Sequence, residues 1–199
     1  ILNMLDMSGI TIRASERGED EPIIMAGGPC AYNPEPLYDI VDFFEIGEGE
    51  EMMDDVLEVY ARHKANGKVN KKEFLREISH IGGIYVPSLY DVSYNEDGTI
   101  REFTPKYEDV PAKVKKRIVN NFDKVSFPDE MIVPYTDIVH DRVVLETARG
   151  CTNGCRFCQA GMIYRPVREK TTNTLIEQAR KALKATGYDE VSLASLSIC

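Results

Sequence analysis

Tryptophan is absent from this sequence, histidine occurs three times and cysteine five times in 199 residues. His63 and His80 each lack a ligand partner at metal spacing. His63 and His80 read as surface residues, and His140 carries no assignment. Basic residues are also in deficit: 24 Lys and Arg against 33 Asp and Glu leave a net charge of −9. A surplus of carboxylates repels phosphate at long range, which argues against a general nucleic-acid binder or a protein held on anionic membranes. RNA as a partner therefore finds no support in the charge. Long apolar runs are missing too, none reaching the about 18 residues that span a bilayer, and the first residues do not read as a signal peptide. The expectation is a cytoplasmic protein with no membrane partner. Because the sequence opens on Ile1 and stops at Cys199 inside the β-like run EVSLASLSIC, it is expected to be an internal piece of a longer protein.

What is present alternates between strand-like and helix-like stretches, which implies an α/β layer with a mainly parallel sheet. ILNMLDMSG has apolar residues at helical spacing with Gly9 placed to end it. EPIIMAGGP reads as a buried strand from Ile23 to Ala26 running into a glycine turn, and DFFEIG as a second strand. In EGEEMMDDVLEVYARHKANG, Met53, Val56, Leu57 and Tyr60 share the expected buried face of a helix that Gly67 stops. The acidic GEGEE run suits the start of that helix, where carboxylates meet the favourable end of the dipole. Asp97-Gly98 marks a hairpin. PAKVKKRIVNNF predicts a short basic helix starting on Pro111, with Lys113 to Arg117 on its exposed side. Pro128 and Pro134 mark a linker. The rhythm then returns as strand DRVVLE, a cysteine loop, a helix beginning at Thr172 or Asn173 and reaching Thr186 before Gly187, and strand EVSLASLS. The expected division is 1–67, 68–134 and 135–199.

Cysteine is scarce but not scattered: Cys151, Cys155 and Cys158 form C-x3-C-x2-C on the turn that leaves a strand. Three thiolates on one loop can each hold one iron of a cubane cluster and leave the fourth iron open to a small molecule. Gly150 and Gly154 let the backbone fold close to such a cluster. Zinc is the competing occupant. It wants four ligands, no second C-x2-C exists, and Cys30 or His140 would have to be recruited from a distance. Three unrelated thiols are the remaining alternative. Cys30 by itself reads as a small buried hydrophobe rather than a reactive thiol. Around the loop, Arg149, Arg156, Arg165, Arg168 and Lys170 face only Glu169, which makes either a site for a carboxylate or other anion, or a solvated rim.

CTNGCRFC resembles the signature loop of the radical S-adenosylmethionine (radical SAM) enzymes, and RGCTNGCRFCQAGMIYRPVREK is similar to a subgroup in which a cobalamin-binding-like domain precedes the radical domain. The resemblance implies a 4Fe-4S cluster on Cys151, Cys155 and Cys158, with S-adenosyl-L-methionine on the open iron, an electron donor such as flavodoxin or ferredoxin, and an adenosyl radical acting on a substrate that the sequence does not name. It implies that Phe157 lies by the adenine. Where many members carry Gly-Gly-Glu at the end of the second strand, this chain has SLSIC, so Ser195 or Ser197 would stand in for that contact. IIMAGGPCAYNPEPL followed by VDFFEIGEGEE resembles the final part of a cobalamin-binding-like domain, with Gly27 and Gly28 as the candidate contacts. Cobalamin itself is the weaker implication, since the histidine motif that would ligate cobalt is not in the chain and the glycine pair alone is compatible with a plain tight turn. The implied fold class is α/β: the end of a Rossmann-like domain, a hairpin and helix connector, and the first βαβ unit of a partial (β/α) barrel. A methylthio- or methyltransferase acting on RNA or protein is the alternative within enzymes, and a non-catalytic iron–sulfur or zinc-binding interaction module the alternative outside them.

Overall fold

The computed structural model describes residues 1–65, 67–136 and 138–197. They form a mixed α/β structure of small sheets in two compact units, Ile1–Ile118 and Val119–Cys199.

In the first unit, helix α1 (Leu2–Met7) ends where Gly9 takes φ +66°. Strands β1 (Met25–Ala26) and β2 (Phe43–Glu45) pair in parallel. The strand expected from Ile23 is shorter because the Ile24 amide donates to the Asp42 side chain at 2.7 Å, not to a ladder partner. That carboxylate also accepts from Arg17 at 2.6 Å and pairs with Lys71 at 2.7 Å, a buried ionic group tying the segment before β1 to the start of β2. Helix α2 (Gly49–Ala65) begins with Glu50 and Glu51 in its first turn, as the dipole argument predicts. Its face is rotated from the expected one. Met52, Val56 and Val59 are buried, while Leu57 is 52 % exposed. Helix α3 (Lys71–Ile78) sets this phase: capped by Asn70, it places Phe74 edge-on against both Tyr60 and His63. His63 is thus half-buried and 2.8 Å from Glu77, not a plain surface residue.

Strand β3 (Ile84–Tyr85) pairs antiparallel with β2 and completes the order β1-β2-β3. Strands β4 (Tyr90–Tyr94) and β5 (Ile100–Pro105) form the expected hairpin, with Gly98 at φ +80° and the Asp97 carboxylate accepting from the Thr99 amide and hydroxyl. Phe74, Ile78, Tyr85 and Tyr90 join the same core as Phe43, Phe44 and Met52, so the stretch from 68 to Ile118 belongs to the first unit and is not a separate connector. The basic helix expected from Pro111 does not form. Instead the Arg117 main chain bridges across Gly47, its amide donating to Ile46 and its carbonyl accepting from Glu48, while its side chain pairs with Glu51 and Asp55. Gly47 permits the crossing, because a Cβ there would lie 2.2 Å from the Arg117 carbonyl oxygen.

The second unit follows the expected order closely. Strand β6 (Val143–Glu146) leads into β7 (Ala148–Arg149), the cysteine loop, the short helix α4 (Ala160–Ile163), β8 (Arg168–Glu169), helix α5 (Thr172–Thr186) and β9 (Val191–Ala194). β6 and β9 pair in parallel over all four residues. α5 has the expected bounds and ends on Gly187 at φ +77°, but its cap is Thr171, whose hydroxyl accepts from the Thr174 amide. Ala182 packs with Val143 and Leu145 on one face of the strand pair. Val144, on the opposite face, is 47 % exposed, and Leu193, in register with Leu145 on the same face as Ala182, is 57 % exposed. Among the described residues no helix is long and apolar enough to cross a membrane.

Candidate cysteine-loop site

The loop between Gly150 and Val167 is closed at its base. β7 and β8 pair antiparallel, Ala148 opposite Glu169 and Arg149 opposite Arg168. Thr147, just before β7, accepts from the Lys170 amide at 2.9 Å and donates its own amide to Ala194 at 2.9 Å, so one residue links the loop's base to the end of β9. Gly150 takes φ +98°, where a Cβ would lie 2.8 Å from the carbonyl oxygens of both Tyr164 and Pro166. The incoming and outgoing arms therefore touch at a point only glycine allows. The Arg165–Pro166 peptide bond is cis.

The basic residues around the loop are mostly engaged in this base. Arg149 grips Glu146 with two bonds of 3.0 and 2.8 Å, and its guanidinium stacks 4.9 Å from the Phe122 ring. Lys170 is buried, 3.3 Å from Gln178, with the rings of Phe122 and Phe127 at 5.2 and 5.5 Å. Arg168 donates to the carbonyls of Pro166, Val119 and Tyr164 at 3.1, 3.2 and 3.4 Å. Of the two readings of this basic set, an anion site or a rim, neither describes these three residues. They staple the loop. Arg156, at the tip, is exposed.

Within the loop, Gly154 at φ +65° and the bond from the Cys158 amide to the Cys155 carbonyl make a tight turn, and the Asn153 amide lies 3.5 Å from the Cys151 sulfur. Cys155 is exposed, Cys151 and Cys158 are half-buried, and all three are free thiols. Among the described residues no three His, Cys, Asp or Glu side chains are grouped to hold a metal ion. The donor set nonetheless fits a cubane cluster. Soft thiolates are its ligands, and each binds a different iron, so the three need not converge on one point as they would for a single ion. Phe157 projects from the tip, 92 % exposed. Ser195, just past β9, is the orphan of the site: its hydroxyl oxygen is buried without a hydrogen-bond partner. Ser197 accepts from the Asn153 side chain at 3.3 Å, which brings the end of β9 against the loop.

Gly27 and Gly28 lie in the first unit, on the turn after β1, with Gly28 at φ +86°. Beneath them sits a residue the sequence did not single out. Glu45 is buried at the end of β2, one carboxyl oxygen has no partner, and burial pushes its pKa up. Cys30, expected to be buried, is exposed, because it stands on the outer side of a short 3-10 turn that buries Ala31 instead.

Residues 1–87 match the family model for the N-terminal region of radical SAM proteins. The match lies within the first unit and stops short of the cysteine loop. A protein of Methanocaldococcus jannaschii described as uncharacterized is 26 % identical over 191 residues, covering 94 % of this chain. The chain spans 34 % of that relative's length. No solved structure matches significantly.

Proposed function

We propose that this chain carries the cluster-binding loop of a radical SAM enzyme, on the first βαβ unit of its barrel, behind the end of a Rossmann-like, cobalamin-binding-like domain. The observation that carries the reading is the placement of three free thiols on a stapled loop that leaves a parallel strand, beside the orphaned hydroxyl at the end of the next strand. The family match over residues 1–87 supports it independently, since it rests on a different part of the chain. Cys151, Cys155 and Cys158 would hold three irons of a 4Fe-4S cluster. With S-adenosyl-L-methionine and an electron from a donor of the flavodoxin or ferredoxin kind, such a cluster supplies a 5′-deoxyadenosyl radical. Phe157 offers a flat face for the adenine, and its exposure leaves that face open to a ligand. Ser195 gains in a bound amino group the partner it lacks in the chain, and Ser197 holds Asn153, and with it the loop, close to that position. Gly27 and Gly28 give a backbone surface that a ligand can approach closely, without a cobalt-ligating residue nearby in the sequence.

The test is anaerobic reconstitution. The full-length wild-type protein is expected to take up about four iron and four sulfide per chain and to yield 5′-deoxyadenosine from S-adenosyl-L-methionine under a strong reductant. Cys155→Ala should lose cluster and cleavage together. A single zinc per chain, or cleavage that survives in that variant, would sink the reading.

A further inference from the structure

The neck of the cysteine loop is held by one side chain above the others. Gly150 immediately precedes Cys151, and its Cα faces the carbonyl oxygens of Tyr164 and Pro166, close enough that a Cβ would meet each at 2.8 Å. Those same two oxygens accept from Arg168, at 3.4 and 3.1 Å. The remaining arm of the guanidinium donates to Val119, which is buried and precedes the turn carrying Phe122. Arg168 also sits directly opposite Arg149 in the β7–β8 ladder, so its backbone ties the outgoing strand to the incoming one while its side chain folds back over the outgoing arm that faces Gly150. Two inward-turned carbonyls beside a glycine repel each other and would splay outward to water. A planar guanidinium with several fixed N–H donors can gather them, and a compact ammonium cannot reach three separated carbonyls at once.

We infer that Arg168 is a positioning residue for Cys151: it draws the outgoing arm of the loop against Gly150 and so fixes where the first thiol of the C-x3-C-x2-C set stands. Its consequence at a metal rests on the cluster reading above. Its consequence for the thiol does not. Groups that orient ligands without touching the metal commonly change metal retention about 10- to 100-fold when removed.

Two measurements test this in the full chain. In a variant whose other cysteines are serine, leaving Cys151 as the sole thiol, Arg168→Met is expected to speed alkylation by iodoacetamide at least about threefold, because the half-buried sulfur loses its fixed neck. Arg168→Lys is expected to behave like Arg168→Met, and Glu169→Gln, exposed on the same strand, like wild type. In the reconstituted protein with all cysteines present, Arg168→Met should lose iron to a chelator about 10- to 100-fold faster, with an altered electron-paramagnetic-resonance line shape of the reduced cluster and an unchanged urea midpoint. Unchanged Cys151 alkylation, or full rescue by lysine, overturns the positioning role. If the wild type takes up no cluster, the ligand assignment falls and alkylation alone decides for or against Arg168.

Discussion

Glu45 shows how much can hang on one side chain that looks ordinary in sequence. In the strand DFFEIG it reads as an ordinary acid, yet it is buried under Gly27 and Gly49 with one carboxyl oxygen lacking a hydrogen-bond partner. Burial disfavours the charged form, so its pKa lies above the usual carboxylate value in the folded chain. The folded state then binds the proton more tightly than the unfolded chain does. The stability this provides is complete below the unfolded pKa and is lost as pH rises through the raised folded value. Glu45→Gln is therefore expected to change little near pH 4 and to stabilise the fold by about 1 kcal/mol near pH 8, where the native residue must bury an uncompensated charge. Urea denaturation at the two pH values checks it, and an equal effect at both would show that burial is not the cause. The glycines above Glu45 were visible in the sequence. The acid below them was not, because burial is a property of the fold and leaves no mark on residue type.

At the scale of elements, periodicity was readable and phase was not. The helix from Gly49 was evident, but Met53 and Leu57 fit its apolar stripe about as well as Met52 and Val59, and only packing against α3 decides between them. Met52→Ala is accordingly expected to cost about 2–5 kcal/mol, whereas Leu57→Ala should stay within about 0.5 kcal/mol; thermal or urea unfolding of the pair tests the rotation. α3 carried its signals openly, an Asn70 cap followed by Phe74, Leu75 and Ile78, without being singled out. The helix expected at Pro111 failed for the converse reason: its local pattern was acceptable, but a main-chain bridge between Arg117 and Gly47, residues far apart in sequence, took its backbone groups. β6 and α5 were legible almost to the residue, because periodicity and the C-terminal glycine agree there, whereas the cap is Thr171 and β9 ends at Ala194, three residues before the expected strand does. The cysteine spacing was equally plain. The staple around it was not, since Arg149, Arg168 and Lys170 acquire their roles only through Glu146, Val119, Phe122 and Gln178.

The molecule as a whole joins a well-filled unit to a thinly filled one. Among the described residues, sixteen buried side chains make the first core, whereas the buried cluster of the second gathers Val143, Leu145 and Ala182, with Val119, Phe122 and Ile163 buried outside it. Parallel strands are ordinarily covered on both faces, and here the β6–β9 pair shows Val144 to solvent on one face and Val191 and Leu193 on the other. Against association of such surfaces stands the mutual repulsion of chains that each carry a net charge of −9. That repulsion is colloidal, and salt shortens its reach to about 3 Å at 1 M. Light scattering is expected to show monodisperse protein in dilute buffer at neutral pH, with association growing as salt rises or as pH nears the isoelectric point of about 4.9. Val144→Lys with Leu193→Glu should suppress that growth; association unaffected by the double change would place the sticky surface elsewhere. Protein handled in low salt would thus remain dispersed, whereas concentrated salt would hold it in solution less well.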